Sequence, residues 1–157
     1  MDILLLSIGK TSSKFIENGI EDFFLRLKHY ISFKIEYLPD IRNTKKLTEL
    51  QQKEAEGKLI LNFLNSSDYV VLLDERGKEY TSKEFASWME KIMASGFKRI
   101  IFIIGGPYGF SPSVYERANT KMALSKMTFT HEMCRLFFTE QLYRAFTIIK
   151  GEPYHHN

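Results

Sequence analysis

The chain has 157 residues, of which 44% are hydrophobic and 26% are charged, and this composition is typical of one globular domain. It contains no apolar run of the roughly 20 residues that a membrane-spanning helix needs. Its single cysteine, Cys134, excludes an internal disulfide and suits a reducing cytoplasm. One cysteine and four histidines also argue against a structural zinc cluster.

Charge is distributed unevenly along the chain. The formal net charge is +3, but residues 91–157 carry nine Lys and Arg against four Glu, a net of +5, so residues 1–90 carry −2. This asymmetry indicates either an anionic partner that meets the C-terminal half or a solvated basic face that binds nothing. Charge alone leaves both interpretations open.

The first half of the chain predicts alternating strands and helices. Residues 1–9 form a short apolar run that ends at a glycine and has no basic leader, which predicts a buried parallel strand rather than a signal peptide. Residues 11–31 carry apolar side chains at helical spacing, and 33–38 alternate apolar and polar residues as a half-buried strand does. A basic, polar connection follows, and 47–64 predict a second helix.

The second half continues the same alternation. The predicted elements are a strand at 69–73, a polar loop at 74–78, a helix at 82–93, a strand at 100–104, a short helix at 113–119, a strand and turn at 122–127 and a long helix at 130–149. Strands and helices in this order predict an α/β domain with a mostly parallel sheet and helices on both faces.

Two loops are the first candidates for a ligand site, because open α/β sheets bind ligands beyond the carboxyl ends of their strands. One loop follows Leu73 and the other follows Ile104. The second has three glycines within residues 105–109, but it has neither the G-x-G-x-x-G spacing nor the lysine of a Walker A loop. Its glycines either free backbone amides for a flat or anionic ligand, or form a tight turn in a crowded core.

The predicted final helix places His131 one turn from Arg135, and Glu140 one turn from Arg144. A structural histidine and a solvated ion pair are the ordinary interpretations of these residues. Cys134 fits a small core residue better than a nucleophile. The spacing shows no catalytic triad and no metal cage, so the residues by themselves name no reaction.

Several linked motifs are more specific than any one of these features. They are Leu72-Leu73-Asp74 with Gly77-Lys78, Ile104-Gly105-Gly106-Pro107 with Gly109, Leu124-Ser125-x-Met127-Thr128-x-x-His131, Arg135, Glu140-Gln141-x-Tyr143-Arg144-Ala145 and Pro153-Tyr154-His155. In this order and at this chain length they resemble the ribosomal RNA large subunit methyltransferase H family. The resemblance covers the whole chain.

The resemblance implies a minimal member of the SPOUT superfamily. Such a protein is one domain, here 1–157, whose C-terminal part, about 70–157, forms a deep trefoil knot, and it works as a homodimer. A knot is an exception to the general absence of threaded chains. The implied reaction transfers a methyl group from S-adenosylmethionine to ring nitrogen 3 of pseudouridine 1915, in helix 69 of 23S rRNA within the assembled ribosome.

The resemblance also implies where the methyl donor binds and which side chains act. The implied donor pocket consists of Leu73, Gly105, Leu124, Ser125, Lys126, Met127, Thr128 and Phe129. The acceptor nitrogen carries a proton that must leave, which requires a base or stabilisation of the anion. We expect His131 and Arg144 in these roles, with Glu140 orienting the arginine and Tyr154 or His155 closing over the base.

Basic residues of the C-terminal half are the expected contacts with rRNA phosphates, because each such contact releases a counterion. The candidates are Arg117, Lys121, Lys126 and Arg135.

Two other functions stay open at this point. A SPOUT methyltransferase that modifies a different RNA nucleotide would share the donor pocket and differ in its substrate. A non-catalytic ribosome-binding factor would keep the fold but would not take up the donor. No additional RNA-binding domain is evident in a chain of this size, which favours a large, preformed substrate such as the ribosome over free RNA.

Overall fold

The computed structural model describes residues 1–156, in which five strands alternate with five helices. In chain order the elements are β1 (Asp2–Ile8), α1 (Lys14–Leu27), β2 (Ser32–Leu38), α2 (Glu49–Phe63), β3 (Tyr69–Glu79), α3 (Ser82–Ala94), β4 (Arg99–Ile104), α4 (Pro112–Arg117), β5 (Thr120–Ala123) and α5 (His131–Ile149). One 3-10 turn, Thr44–Lys46, lies between β2 and α2.

The five strands form one parallel sheet in the order β2-β1-β4-β3-β5. Helices α1, α3 and α5 pack on one face, and α2 and α4 pack on the other. The predicted α/β fold, with a parallel sheet covered on both faces, is therefore confirmed.

The central strand β4 shows why the sequence folds in this way. Ile100, Phe102 and Ile104 belong to the core on the α5 side of the sheet. Ile101 and Ile103 belong to the core on the opposite side. Because successive side chains of a strand point to opposite faces, a strand that is covered on both faces must be apolar at every position.

Strand β3 is longer than predicted. The sequence predicts a polar loop at 74–78, but the strand continues to Glu79. Its pairing with β5 shifts within this segment, since Leu73 and Lys78 are both opposite Met122. Residues 74–77 therefore form a bulge at the rim of the sheet, where unpaired polar residues are tolerated.

Strand β5 is correspondingly short. It ends at Ala123, so 124–127, which the sequence places in a strand and turn, follow it as irregular chain. The predicted helices have boundaries within a few residues of the observed ones, as is usual for helix ends.

Arg135 ties α5 to the end of β1. Its side chain is 2% exposed. Its guanidinium donates to the hydroxyls of Ser7 at 2.8 Å and Thr11 at 3.0 Å, and to the carbonyls of Ile8 and Gly9, both at 2.9 Å. A guanidinium enclosed in this way is out of reach of a phosphate, so the prediction that Arg135 contacts rRNA is wrong.

We expect Arg135→Ala to lower the free energy of unfolding by about 3 kcal/mol, because it leaves a hydroxyl and two buried carbonyls without a donor. Arg135→Lys should recover only part of the loss, since an ammonium group does not reproduce the fork of a guanidinium. Urea denaturation measures both. Lys14→Ala is the control, because Lys14 forms only an exposed 4.0 Å pair with Glu17. Equal stability of the Arg135→Ala and Lys14→Ala variants would contradict the anchoring role.

Candidate active site

A cavity of about 500 Å³ opens at the carboxyl ends of β3, β4 and β5. Leu73 and Ile104 are opposite each other in the sheet register, so the bulge after Leu73 and the loop after Ile104 form adjacent walls. The segment after β5 and the first turn of α5 complete the cavity. The lining residues are Leu73, Asp74, Glu75, Arg76, Ile104, Gly105, Gly106, Pro107, Tyr108, Gly109, Phe110, Tyr115, Leu124, Ser125, Met127, Thr128, Phe129, His131 and Cys134.

The structure gathers most of the predicted donor-pocket residues around this cavity. Seven of the eight line it, namely Leu73, Gly105, Leu124, Ser125, Met127, Thr128 and Phe129. Lys126 does not line it, since its side chain is 83% exposed and its Nζ lies 3.6 Å from a carboxylate oxygen of Glu79. That these residues bind a methyl donor stays a prediction.

The glycine loop over 105–109 is both a tight turn and a cavity wall. The amide of Gly109 donates to the carbonyl of Gly106 at 3.1 Å, and Gly109 has a φ of +84°. A residue with a side chain is strained in that conformation, which explains a glycine at the closing position. The two interpretations of the loop are therefore compatible.

The bulge of β3 supplies a polar wall to which the sequence assigns no role. The hydroxyl of Tyr115 donates to the carboxylate of Asp74, and Arg76 donates to that hydroxyl at 3.0 Å. Across the cavity, Glu75 accepts a hydrogen bond from the Thr128 hydroxyl at 2.9 Å. Burial and the bond to Asp74 raise the pKa of Tyr115, so its phenol remains a donor. No local motif distinguishes Tyr115, because only the folded register brings α4 to the bulge.

The first turn of α5 places a neutral imidazole on the cavity wall. Burial and the charge of Arg135 lower the pKa of His131 below its ordinary value of 6.5. The side chain is therefore uncharged at pH 7 and able to accept a proton. Burial raises the pKa of the neighbouring Cys134 thiol, which favours the thiol over the nucleophilic thiolate.

The other predicted catalytic residues form a separate group, called here the C-terminal cluster, of Glu140, Arg144, Tyr154 and His155. Arg144 donates twice to Oε1 of Glu140, at 2.6 and 3.0 Å, and the Tyr154 hydroxyl donates to the same oxygen at 3.1 Å. Nη1 of Arg144 lies 3.1 Å from Nδ1 of His155. The bonds to Glu140 raise the pKa of Arg144 and fix its guanidinium in place.

One chain does not bring His131 and the C-terminal cluster together. No residue of the cluster lines the cavity. Arg144 follows His131 by thirteen residues on α5, which corresponds to about 20 Å along a helix that rises 1.5 Å per residue. His131 therefore lies at the start of α5, and Arg144 lies more than three turns further along the same helix.

Within residues 1–156, no three His, Cys, Asp or Glu side chains are grouped as ligands for a metal ion. In the same part of the chain, no helix combines the length and apolarity needed to cross a membrane.

Comparison with known proteins gives one consistent family. A family profile described as "Predicted SPOUT methyltransferase" matches residues 1–155. The chain belongs to the SPOUT methyltransferase family. Its relatives include proteins named ribosomal RNA large subunit methyltransferase H from Christiangramia forsetii, at 58% identity, and from Porphyromonas gingivalis and Bacteroides fragilis, each at 54%. Each alignment covers 99% of this chain and 99% of the relative. The family that the motifs predict is thereby confirmed.

In this SPOUT methyltransferase we expect the imidazole of His131 to titrate with a midpoint below 6.5, because burial and Arg135 disfavour its charged form. The unfolded chain then binds the proton more readily, so the free energy of unfolding decreases as the pH falls through 6.5 and levels off below the folded-state pKa. An NMR titration of the ring protons measures the midpoint, and His131→Gln identifies the signal. A midpoint at or above 6.5 contradicts the expectation.

Proposed function

We propose that this chain transfers a methyl group from S-adenosylmethionine to ring nitrogen 3 of a pseudouridine in helix 69 of 23S rRNA, within the assembled ribosome of the cytoplasm. The observation that carries the proposal is the gathering of seven motif residues and His131 around one cavity. The relatives, which are more than half identical to this chain over its length, are named ribosomal RNA large subunit methyltransferase H, which supports the class of reaction and of substrate. One domain performs the reaction, with 70–157 as the knotted part.

The cavity fits the donor in size and chemistry. Its volume of about 500 Å³ lies within the roughly 300–1,000 Å³ of small-ligand sites. Leu73 and Leu124 offer apolar contacts for the faces of an adenine ring, and the backbone of 105–109 offers amides and carbonyls for its edge. Arg76, which also lines the cavity, pairs with Asp74, so Glu75 is the acid that favours a positively charged ligand. Bound S-adenosylmethionine supplies an already activated methyl group on its sulfonium.

His131 is placed to accept the proton that the acceptor nitrogen loses. The imidazole lies on the cavity wall and is neutral at pH 7, because its pKa is lowered. The chain therefore contributes two effects, which are orientation of the acceptor beside the donor and removal of its proton.

A second copy of the chain completes the site in this proposal. Arg144 is about 20 Å from His131 along α5, and no residue of the C-terminal cluster lines the cavity. In a homodimer, the cluster of one protomer reaches the cavity of its partner. Met127, 75% exposed, and Phe137, 37% exposed, supply apolar surface beside the cavity for such a contact.

The structure favours a different set of rRNA contacts from the one that the sequence predicts. Arg117 donates to backbone carbonyls that precede β3, and Lys126 pairs with a glutamate of β3, whereas Lys121 remains an exposed candidate. The loop after β2 carries further exposed cations, which form no ion pair with any carboxylate of residues 1–156. They are Arg42, Lys45 and Lys46. Cations of this kind are available to phosphates.

The experiment that tests the function compares 23S rRNA from cells with and without the gene for this chain by mass spectrometry. We expect the helix 69 pseudouridine to lose one methyl group in the deletion strain and to regain it when the gene is restored. If a different nucleotide loses its methyl group in the deletion strain, that nucleotide is the substrate and the helix 69 pseudouridine is not. Unchanged rRNA, together with no calorimetric binding of S-adenosylmethionine, would support a ribosome-binding factor instead.

Mixed dimers test whether the two catalytic groups act across the interface. We expect His131→Ala and Arg144→Ala each to abolish methylation of ribosomes in vitro. When the two variants are mixed and allowed to exchange subunits, one site of each mixed dimer has both native groups. Random pairing should then restore roughly a quarter of the wild-type rate. If both groups act within one chain, the mixture remains as inactive as its components.

A further inference from the structure

Glu56 is a buried acid that the proposed chemistry does not use. It lies on α2 and is 3% exposed. Its Oε2 accepts a hydrogen bond from the Gln52 amide at 3.4 Å. Among residues 1–156, nothing donates to its Oε1. An enclosed oxygen without a partner costs free energy, so a residue of this kind calls for an explanation.

The carboxyl group of Glu56 lies directly behind the glycine loop. A Cβ atom added to Gly106 would lie 2.2 and 2.3 Å from its two oxygens, which is far inside van der Waals contact. Gly106 itself lines the cavity, whereas Glu56 does not. Glu56 therefore contacts the rear of the wall that the proposed donor would contact from the front.

The surroundings of Glu56 favour its neutral form. Burial, which has the largest effect, and the negative charge of Asp40 raise its pKa, and the bond from Gln52 only partly offsets them. No Lys or Arg among residues 1–156 forms an ion pair with it. The group therefore acts on Gly106 through its shape and close packing rather than through a salt bridge.

The backbone conformation of Gly106 does not require glycine. Its φ lies outside the left-handed region, unlike that of Gly109. Its backbone thus accepts an alanine, and the three atoms nearest to a methyl group at this position all belong to the Glu56 carboxyl group. The two residues form a matched pair in which one fills the space that the other leaves.

We propose that Glu56 is a positioning residue of the methyl-donor site, whose carboxyl group braces Gly106 from behind and holds the 105–109 loop in the shape that binds the donor. The identity of the ligand rests on the function proposed above. The bracing itself is a property of the free protein and is measured without any ligand.

The first experiment makes two measurements on the full-length chain. Hydrogen–deuterium exchange reports the mobility of the 105–109 loop without ligand, and calorimetric titration reports binding of S-adenosylmethionine. We expect Glu56→Ala to speed exchange in the loop and to weaken donor binding by roughly tenfold, since loss of alignment at a distance has effects of this order. Glu56→Gln, which keeps the shape, should rescue both properties. Glu54→Ala, at an exposed position on the same helix, is the matched control. If Glu56→Ala gives the same results as Glu54→Ala in both measurements, the proposal is overturned.

The second experiment tests the pair. We expect Gly106→Ala to weaken donor binding, and the double variant Glu56→Ala/Gly106→Ala to bind more tightly than Gly106→Ala, because the methyl group then occupies vacated space. Purely additive effects would contradict the bracing contact. If Glu56→Ala does not fold, Glu56→Asp takes its place, because it withdraws the carboxyl group by one methylene. The double variant Glu56→Asp/Gly106→Ala must then bind the donor more tightly than Gly106→Ala alone.

The outcomes separate this proposal from the proposed function. A wild-type protein that does not bind S-adenosylmethionine removes the donor assignment. Hydrogen–deuterium exchange of the 105–109 loop in the Glu56 variants still decides whether the Glu56 carboxyl group braces this loop.

Discussion

The bonds of the Arg135 guanidinium join the first strand to the last helix, and the geometry of the cavity depends on them. Its partners lie at the carboxyl end of β1 and in the loop that follows. His131 precedes it by one turn of α5, so the anchor that fixes Arg135 also fixes the imidazole. The charge of Arg135 contributes to the lowered pKa of His131. One buried cation thus fixes the place of the proposed base and, together with the larger effect of burial, favours its neutral form.

Helix α5 also separates the two groups of residues that the proposed function assigns to catalysis. The helix is packed in the core through residues such as Phe138 and Leu142, which makes it a rigid spacer between His131 at its start and Arg144 about 20 Å further along it. A rigid spacer does not bend to bring its ends together. The same packing that stabilises the fold therefore keeps His131 and Arg144 apart within one chain, which is why the proposed function includes a second copy.

The sequence predicts the elements that depend on local pattern and misses those that depend on distant contacts. The apolar strands β1 and β4 are evident because both faces of the sheet are covered. The segment 74–78 is predicted as a loop because its residues are poor strand formers, and only the resumed pairing of Lys78 with Met122 reveals a bulge. Arg135 is predicted to contact rRNA because it is one of the basic residues of the C-terminal half, and its four acceptors converge only in the folded chain. Glu56 belongs to no motif, so the space behind Gly106 alone identifies it.

The link between Arg135 and β1 also determines the order in which the protein is able to fold. Ser7 and Arg135 are separated by 128 positions, and β1 lies beside β4, about 100 residues away in the chain. Synthesis proceeds from the N-terminus, so β1 is made first and has only β2 as a neighbour until β4 and α5 follow. Contacts between such distant segments make folding slow. The apolar strand β1, which is central in the finished sheet, is thus exposed during synthesis. The nascent chain depends on its last helix, α5, to bury this first strand.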